Sequence, residues 1–99
     1  MATGYVGILS FELYFPENHS LKEKRKELLS AKAQLQRRFG ASVAEVDHHD
    51  VWQRARLTLA CVARGHNEVL GLLDGAERFL GGQAFELGPI EREIVTLDE

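Results

Sequence analysis

The sequence predicts one α+β domain, in which two helices cover one face of a four-stranded sheet. Two kinds of periodicity lead to this prediction: apolar residues alternate with polar ones in four segments, and they recur every three or four residues in two others. The order of these segments along the chain is β-α-β-β-α-β. A length of 99 residues, 44% of them hydrophobic, suits a single domain over residues 1–99 with one core.

The first strand is predicted over Tyr5–Phe15, because apolar and polar side chains alternate through it. The face expected to point into the core carries Leu9, Phe11 and Leu13. The other face becomes polar after Ile8, which is typical of a sheet that is covered on one side only, in an antiparallel or mixed arrangement.

The first helix is predicted from about Leu21 to Arg38, where apolar residues form one stripe. A capping box formed by Ser20 and Glu23 marks its start, because the serine hydroxyl accepts a backbone N–H and the glutamate reaches back to the cap. Gly40 marks its end, since a residue in the left-handed conformation commonly closes a helix.

Two further strands are predicted over Ser42–His48 and Arg54–Arg64, joined into a hairpin by the loop His49–Gln53. In the second strand the charged face, which is expected to be wet, carries Val43, Glu45 and Asp47. The other face is mainly apolar and carries Ala44, Val46 and His48. The third strand is expected to point into the core with Ala55, Leu57, Leu59, Cys61 and Ala63. Cys61, the single cysteine, is therefore predicted to be a core thiol rather than a nucleophile.

The second helix is predicted over Glu68–Leu80, despite the helix-weakening residues Gly71 and Gly75. The last strand is predicted over Ala84–Leu97, and Gly88-Pro89 indicates a bulge or an edge position, because proline cannot donate to the ladder. Right-handed crossovers place both helices of such a chain on one face of the sheet. The predicted fold is the ferredoxin-like βαββαβ sandwich with a four-stranded antiparallel sheet.

Charge is distributed unevenly along the chain. The net charge is −3, but residues 20–39 carry seven bases and two acids, a net +5, which leaves −8 for the rest. A positive face suits a phosphate backbone or an acidic protein, and a solvated helix face without a partner is the structural alternative. The helix residues predicted to belong to a binding surface are Lys22, Lys24, Arg25 and Lys26.

The segment Val43–Arg56 concentrates histidines and carboxylates, the residue types that divalent metals prefer. On a strand, however, Glu45 and Asp47 share one face while His48 points to the other, so the ligands do not converge. Neither a nucleophile motif nor a Gly-rich phosphate loop accompanies them. We therefore predict hydrogen bonding at the hairpin end, with no metal, no cofactor and no catalytic residue.

Trp52 and the guanidinium groups that follow it form a second group in this segment, since indole and guanidinium planes can stack on bases and hold phosphates. In the structural alternative, Trp52 covers the end of the core. Arg54 and Arg56 then pair with carboxylates of the second strand. The hairpin residues predicted to belong to the binding surface are Asp47, His48, Asp50, Trp52, Gln53 and Arg54.

Three stretches carry a resemblance to a known family: HSLKEKRKELLSAKAQLQRRF, SVAEVDHHDVWQRARLTLACVA and EREIV. With the motifs SLKEKR and AEVDHxDxWQRA, the chain resembles the YlxP-like family of small bacterial domains of unknown function. The resemblance runs from Gly4 to Val95. It implies a ferredoxin-like fold and a cytosolic bacterial protein, often encoded beside genes for translation initiation and ribosome maturation, with no established reaction.

The chain departs from the family pattern at two places. The family usually has a polar residue such as glutamine where His49 stands, which argues against a special role for this histidine. Its second helix is also less rich in glycine than the helix here.

We expect a cytoplasmic protein without a membrane partner. No apolar run approaches the roughly 20 residues of a membrane span, and Met1–Gly4 lacks the features of a secretion signal. Two hypotheses for function remain. The first is a noncatalytic module that associates with RNA or the ribosome through the basic helix and the hairpin. The second is a protein-interaction or homo-oligomeric module that uses the open sheet face or the edge strands.

Overall fold

The computed structural model describes residues 2–98 and confirms the predicted element order. The strands and helices are β1 (Ala2–Tyr14), α1 (Leu21–Phe39), β2 (Ser42–Asp47), β3 (Arg54–Ala63), α2 (His66–Gly81) and β4 (Glu86–Asp98). The observed bounds differ from the predicted ones mainly at β1 and α2, which begin earlier in the chain.

The four strands form one sheet in the order β2-β3-β1-β4, in which all neighbours are antiparallel. Both helices cover the same face, because side chains of α1 and α2 join one core with the inward residues of the two central strands. That core includes Leu28, Leu35, Leu73 and Leu80 from the helices and Leu9, Phe11, Leu57 and Leu59 from the strands. The predicted ferredoxin-like fold is therefore confirmed.

Both ends of α1 are capped as the sequence predicts. The hydroxyl of Ser20 accepts a hydrogen bond from the backbone N–H of Glu23 at 3.2 Å. The carboxylate of Glu23 reaches back one residue beyond the cap and accepts the N–H of His19 at 3.1 Å. Gly40 closes the helix with φ 62°, a left-handed conformation that glycine adopts without a steric penalty.

The irregularity predicted at Gly88-Pro89 is present, and β4 is an edge strand. The register between β1 and β4 shifts between Phe11 and Leu13, opposite this dipeptide. Gly88 also lies against the ring of Tyr14, because an added Cβ would come within 2.5 Å of its Cε2 atom.

The predicted orientation of β2 is wrong. Val43 packs against the core, and Glu45 lies opposite the buried Leu57, so these side chains face the helices rather than solvent. Val46, expected on the apolar side, is half exposed. The alternation of β2 shows which side chains share a face but not which face the helices cover. Val43 and Glu45 lie before the register shift between Glu45 and Asp47, so this shift changes the pattern only at the end of the strand.

Cys61 is a core residue, as predicted, and is 1% exposed. Burial raises the pKa of its thiol, so the reactive thiolate is disfavoured. Within residues 2–98 no helix is long and apolar enough to cross a membrane.

Gly7 sets the distance between α2 and the sheet. An added Cβ would lie 2.8 Å from Cγ2 of Val69 and 2.9 Å from Cδ1 of Leu73. The helix therefore packs directly onto the backbone of β1. Gly71, on the exposed side of α2, has no atom within 4 Å of such a Cβ.

We therefore expect alanine to have opposite effects at the two glycines. Gly7→Ala overpacks the core and should lower the free energy of unfolding by about 1–3 kcal/mol. Gly71→Ala replaces a helix-weakening residue and should raise the free energy of unfolding by up to about 1 kcal/mol. Urea unfolding of both variants measures the difference; equal effects would contradict close packing of α2 on Gly7.

Candidate functional site

Lys24 lies at the centre of the candidate site, although its side chain is only 1% exposed. Its Nζ donates to the carbonyl oxygens of His48 and Val51, both at 2.7 Å. The carbonyl oxygens of Arg54 and His49 lie at 3.2 and 3.3 Å. One ammonium group on α1 thus gathers four backbone acceptors, three from the β2–β3 connection and one from Arg54, the first residue of β3.

Glu45 completes this arrangement, since its Oε2 lies 3.1 Å from Nζ of Lys24. An ammonium has three N–H donors, fewer than the five oxygens around it. Oε2 is not aligned as a hydrogen-bond acceptor, so its contribution is electrostatic rather than directional. We call Lys24, the Glu45 carboxylate and the four carbonyl groups the ammonium cage.

The prediction that Lys24 belongs to an exposed binding surface is wrong. A buried charge is costly unless it is paired and hydrogen-bonded, and the ammonium cage meets both conditions. Lys24 is therefore a positioning residue, which holds the β2–β3 loop, residues 48–53, against α1.

The ends of this loop are held by further hydrogen bonds. His48 adopts φ 64°, and its backbone N–H donates to Oδ1 of Asp47 at 2.7 Å. Gln53 accepts the N–H of Phe15 at 2.9 Å through its carbonyl, and its Nε2 donates to the carbonyl of Asn18 at 3.2 Å. Gln53, predicted to contact a ligand, thus ties the loop to the β1–α1 connection.

Trp52 projects from the loop between two anchored neighbours. Val51 is held through its carbonyl by Lys24, and Gln53 is bonded to Phe15 and Asn18. Trp52 is 48% exposed, so it does not join the core as the structural alternative expected. A fixed backbone with an exposed ring gives a preorganised stacking surface.

His48, Arg54 and Arg56 converge on Glu12, a β1 residue that no sequence motif singled out. The Oε1 atom of Glu12 lies 3.5 Å from Nε2 of His48 and 3.6 Å from a guanidinium nitrogen of each arginine. Arg56 also pairs with Glu91 at 3.3 Å. The expected pairing of these arginines with carboxylates of β2 is therefore wrong.

The only sequence signal for Glu12 is its position on the polar face of β1. That face lies opposite the helices, and in the observed register Glu12 stands beside Arg56. The carboxylate is buried, and its Oε2 has no hydrogen-bond partner among the described residues. Because two arginines and a histidine share this carboxylate, part of the positive charge of the hairpin is neutralised.

The other hairpin residues predicted to belong to the binding surface, Asp47 and Asp50, are exposed. Asp47 ends β2, and Asp50 lies at the tip of the loop. His49 is also exposed, and its Nε2 lies 3.1 Å from the carbonyl oxygen of Glu45. Within residues 2–98, no three His, Cys, Asp or Glu side chains converge in a way that could hold a metal ion.

Cations line the outer side of α1, four of them exposed and one, Lys32, partly buried. Helical spacing places them on one continuous face around the exposed Leu29. We call this face the basic stripe; it consists of Lys22, Arg25, Lys26, Lys32 and Arg37. None of these cations forms an ion pair with a residue of the described chain, unlike Arg54, Arg56 and Arg92.

Of the two acidic residues of α1, Glu27 lies on the flank away from the basic stripe, whereas Glu23 is three residues from Lys26 and lies at its border. Glu27 lines a groove with Ala84 and Phe85, near the start of β4. Arg25 and Lys32 instead line a groove of about 200 Å³ between α1 and β2. Glu27 therefore lies on the flank of the helix opposite Arg25 and Lys32.

We expect loss of the Lys24 ammonium to be strongly destabilising. Lys24→Met leaves the Glu45 carboxylate and several carbonyls without their partner, which should lower the free energy of unfolding by about 3–5 kcal/mol. Lys26→Met, on the exposed side of the same helix, should change it by no more than about 0.5 kcal/mol. Urea unfolding compares the two variants.

The double variant Lys24→Met/Glu45→Gln separates the ion pair from the carbonyl contacts. It should recover part of the stability, because no unpaired carboxylate remains. Similar stabilities for Lys24→Met and Lys26→Met would show that the ammonium cage contributes little to the fold.

Several solved structures are similar to this chain in outline. The cofactor-independent oxygenase SnoaB of Streptomyces nogalater aligns with a TM-score of 0.47 and 13% identity, over 97% of this chain and 94% of that one. The de novo designed protein Ferredog-Diesel aligns with a TM-score of 0.45 and 20% identity, over 87% and 83% of the two chains. The assignment of the fold rests on strand order and register rather than on these similarities.

A curated relative is similar in sequence. The uncharacterized protein YlxP of Bacillus subtilis (strain 168) is 33% identical over 58 residues, which are 59% of this chain. The match spans 63% of the length of that relative.

The family described as "Protein of unknown function (DUF503)" matches residues 6–91, which include the helix α1, the ammonium cage and the β2–β3 loop. The YlxP-like resemblance of the sequence is thereby confirmed. This chain belongs to the DUF503 family.

Proposed function

We propose that this protein is a noncatalytic RNA-binding module of the cytoplasm that acts on or near the ribosome, through the basic stripe and the β2–β3 loop. The observation that carries this proposal is the anchored and exposed Trp52, on a loop that Lys24 ties to the helix bearing the unpaired cations of the basic stripe. Lys24 holds the loop against the first turns of α1, where Lys22, Arg25 and Lys26 lie.

The charge of α1 supports a polyanionic partner. Apart from Lys24, the helix carries six cations and two carboxylates, a net charge of +4 in a chain whose net charge is −3. The stripe cations have no acidic partner in the described chain, so their charge is available to phosphates. The positive potential of the stripe attracts a nucleic acid, and the negative charge of the rest of the molecule repels it, so the nucleic acid is oriented towards α1.

The loop supports single-stranded RNA rather than a duplex. An exposed indole stacks on an unpaired base, whereas the bases of a duplex are stacked on one another. Arg54 lies near the ring of Tyr14, 6.0 Å from its centroid, and adds a second flat surface on the same hairpin. The combination of a stacking group with a row of cations is the usual arrangement of sequence-tolerant binding.

Protein interaction through the open sheet face or an edge strand is the second candidate function. It is favoured by the exposed side chains of Val62 and Val95, which lie on the open face on either side of Val6.

Charge reversal on α1 tests RNA binding against a matched control. Lys22→Glu/Lys26→Glu should weaken binding of a labelled single-stranded RNA of about 12 nucleotides at least about tenfold. It should also make the slope of log affinity against log salt concentration shallower by about 0.7 for each phosphate that is no longer neutralised. Arg64→Glu/Arg78→Glu makes the same change in net charge at exposed residues outside the stripe and should have little effect. Fluorescence anisotropy over a salt series measures both.

If both double variants weaken RNA binding equally, the effect depends on net charge alone. That result would contradict a defined interface. Absence of binding at low salt would overturn the proposal. For the ribosomal setting, cosedimentation with ribosomal subunits should disappear on nuclease treatment; nuclease-resistant capture would favour a protein partner.

Stacking by Trp52 gives an independent readout. Because this is the only tryptophan in the chain, its fluorescence should be quenched when the RNA binds. Trp52→Ala should weaken binding by about 1–3 kcal/mol without changing the salt dependence. A Trp52→Phe variant, which keeps an aromatic ring, should recover part of the affinity, and unchanged affinity in Trp52→Ala would exclude stacking.

A further inference from the structure

The two edges of the sheet are protected to different degrees. β2 is only 6 residues long, carries a register shift, and points the charged side chain of Glu45 inward. The ring Nε2 of His49 also lies within hydrogen-bond distance of the carbonyl oxygen of Glu45, so this acceptor already has a partner. These features hinder the addition of another strand at β2.

The first half of β4, the other edge, is protected as well. Pro89 cannot donate a backbone hydrogen bond, and Glu91, Arg92 and Glu93 place charges along the strand. Arg92 is also held towards α2 by ion pairs with Asp74 and Glu77.

The second half of β4 has no such protection. Ile94–Leu97 has the sequence IVTL, without charge or proline, and β-branched residues of this kind favour strands. Val95 is 43% exposed and Leu97 is 63% exposed. The segment pairs with β1 on one side only, so its outer backbone groups are available to another strand.

We infer that this edge pairs with the same edge of a second copy of the chain, antiparallel, about a two-fold axis at Val95. In that register Val95 faces its own counterpart, and Ile94 faces Thr96. Beyond this centre Glu93 faces Leu97, and Arg92, which already pairs with Asp74 and Glu77 of its own chain, faces Asp98. The segment is thus complementary to itself, as a two-fold interface requires.

The inferred dimer has one continuous sheet of eight strands, twice the four of one chain, with β4 of each copy at its centre. Because β2 is the opposite edge and α1 packs against β2, the two basic stripes lie towards the far ends of the assembly. The dimer is therefore independent of the RNA-binding surface, and would present it twice.

Cysteine cross-linking tests the register. Opposed residues of antiparallel strands have Cα atoms about 4.5–5.5 Å apart, within the range of a disulfide. Val95→Cys should form a covalent dimer on mild oxidation, seen on a non-reducing gel, whereas Val62→Cys, on the same open face but on an inner strand, should not. Cys61 is buried and contributes no background.

The molecular mass in solution tests the interface without a covalent cross-link. The wild-type chain should show a concentration-dependent approach to the mass of a dimer in light scattering, and Val95→Asp should remain a monomer because two like charges would meet at the axis. Val62→Asp is the matched control and should dimerise. Thermal unfolding of both variants verifies that they are folded.

Two results would overturn the inference. One is a monomeric wild-type chain at every concentration, and the other is loss of the dimer in Val62→Asp but not in Val95→Asp, which would indicate stacking of the open faces. Binding of the RNA oligonucleotide by the monomeric Val95→Asp variant is measured in parallel, so that failure of dimerisation and failure of RNA binding are distinguished.

Discussion

The buried ammonium of Lys24 is the interaction on which the candidate site depends. A charge at this depth persists only because four carbonyl oxygens and the carboxylate of Glu45 surround it. Three of the carbonyls belong to a connection that forms neither helix nor strand, so secondary structure does not supply their hydrogen bonds, and the fourth belongs to Arg54 at the start of β3. One side chain on α1 therefore fixes β2 and the loop that carries Trp52.

Most of the fold could be predicted, because its signals are local or periodic. The hydroxyl cap of Ser20 and the left-handed Gly40 need only neighbouring residues, and the inward rows of β1 and β3 follow from alternation. β2 could not be oriented in this way. Alternation shows which residues share a face but not which face is covered, and the register shift after Glu45 breaks the pattern itself.

The candidate site was predictable only in its exposed part. Lys22, Arg25 and Lys26 lie on the surface, as charged helix residues usually do. Lys24 is buried because it lies on the apolar stripe of α1, four residues before Leu28 and seven before Ala31, a signal that helical spacing carries. Its backbone-carbonyl partners carry no sequence signal. Similarly, the carboxylate that collects the arginines of the hairpin is Glu12, on a strand distant in sequence whose register only the folded sheet defines.

The ammonium cage also separates the shape of the loop from its chemistry. Lys24 contacts main-chain oxygens, which every residue possesses, and the positive φ of His48 restricts only one position to the few residue types that tolerate it. Side chains such as Asp50 and Trp52 can thus be exchanged without altering the path of the backbone. A related chain that retained the lysine could acquire a different binding preference while inheriting the same loop, so that new specificity would evolve on a scaffold already in place.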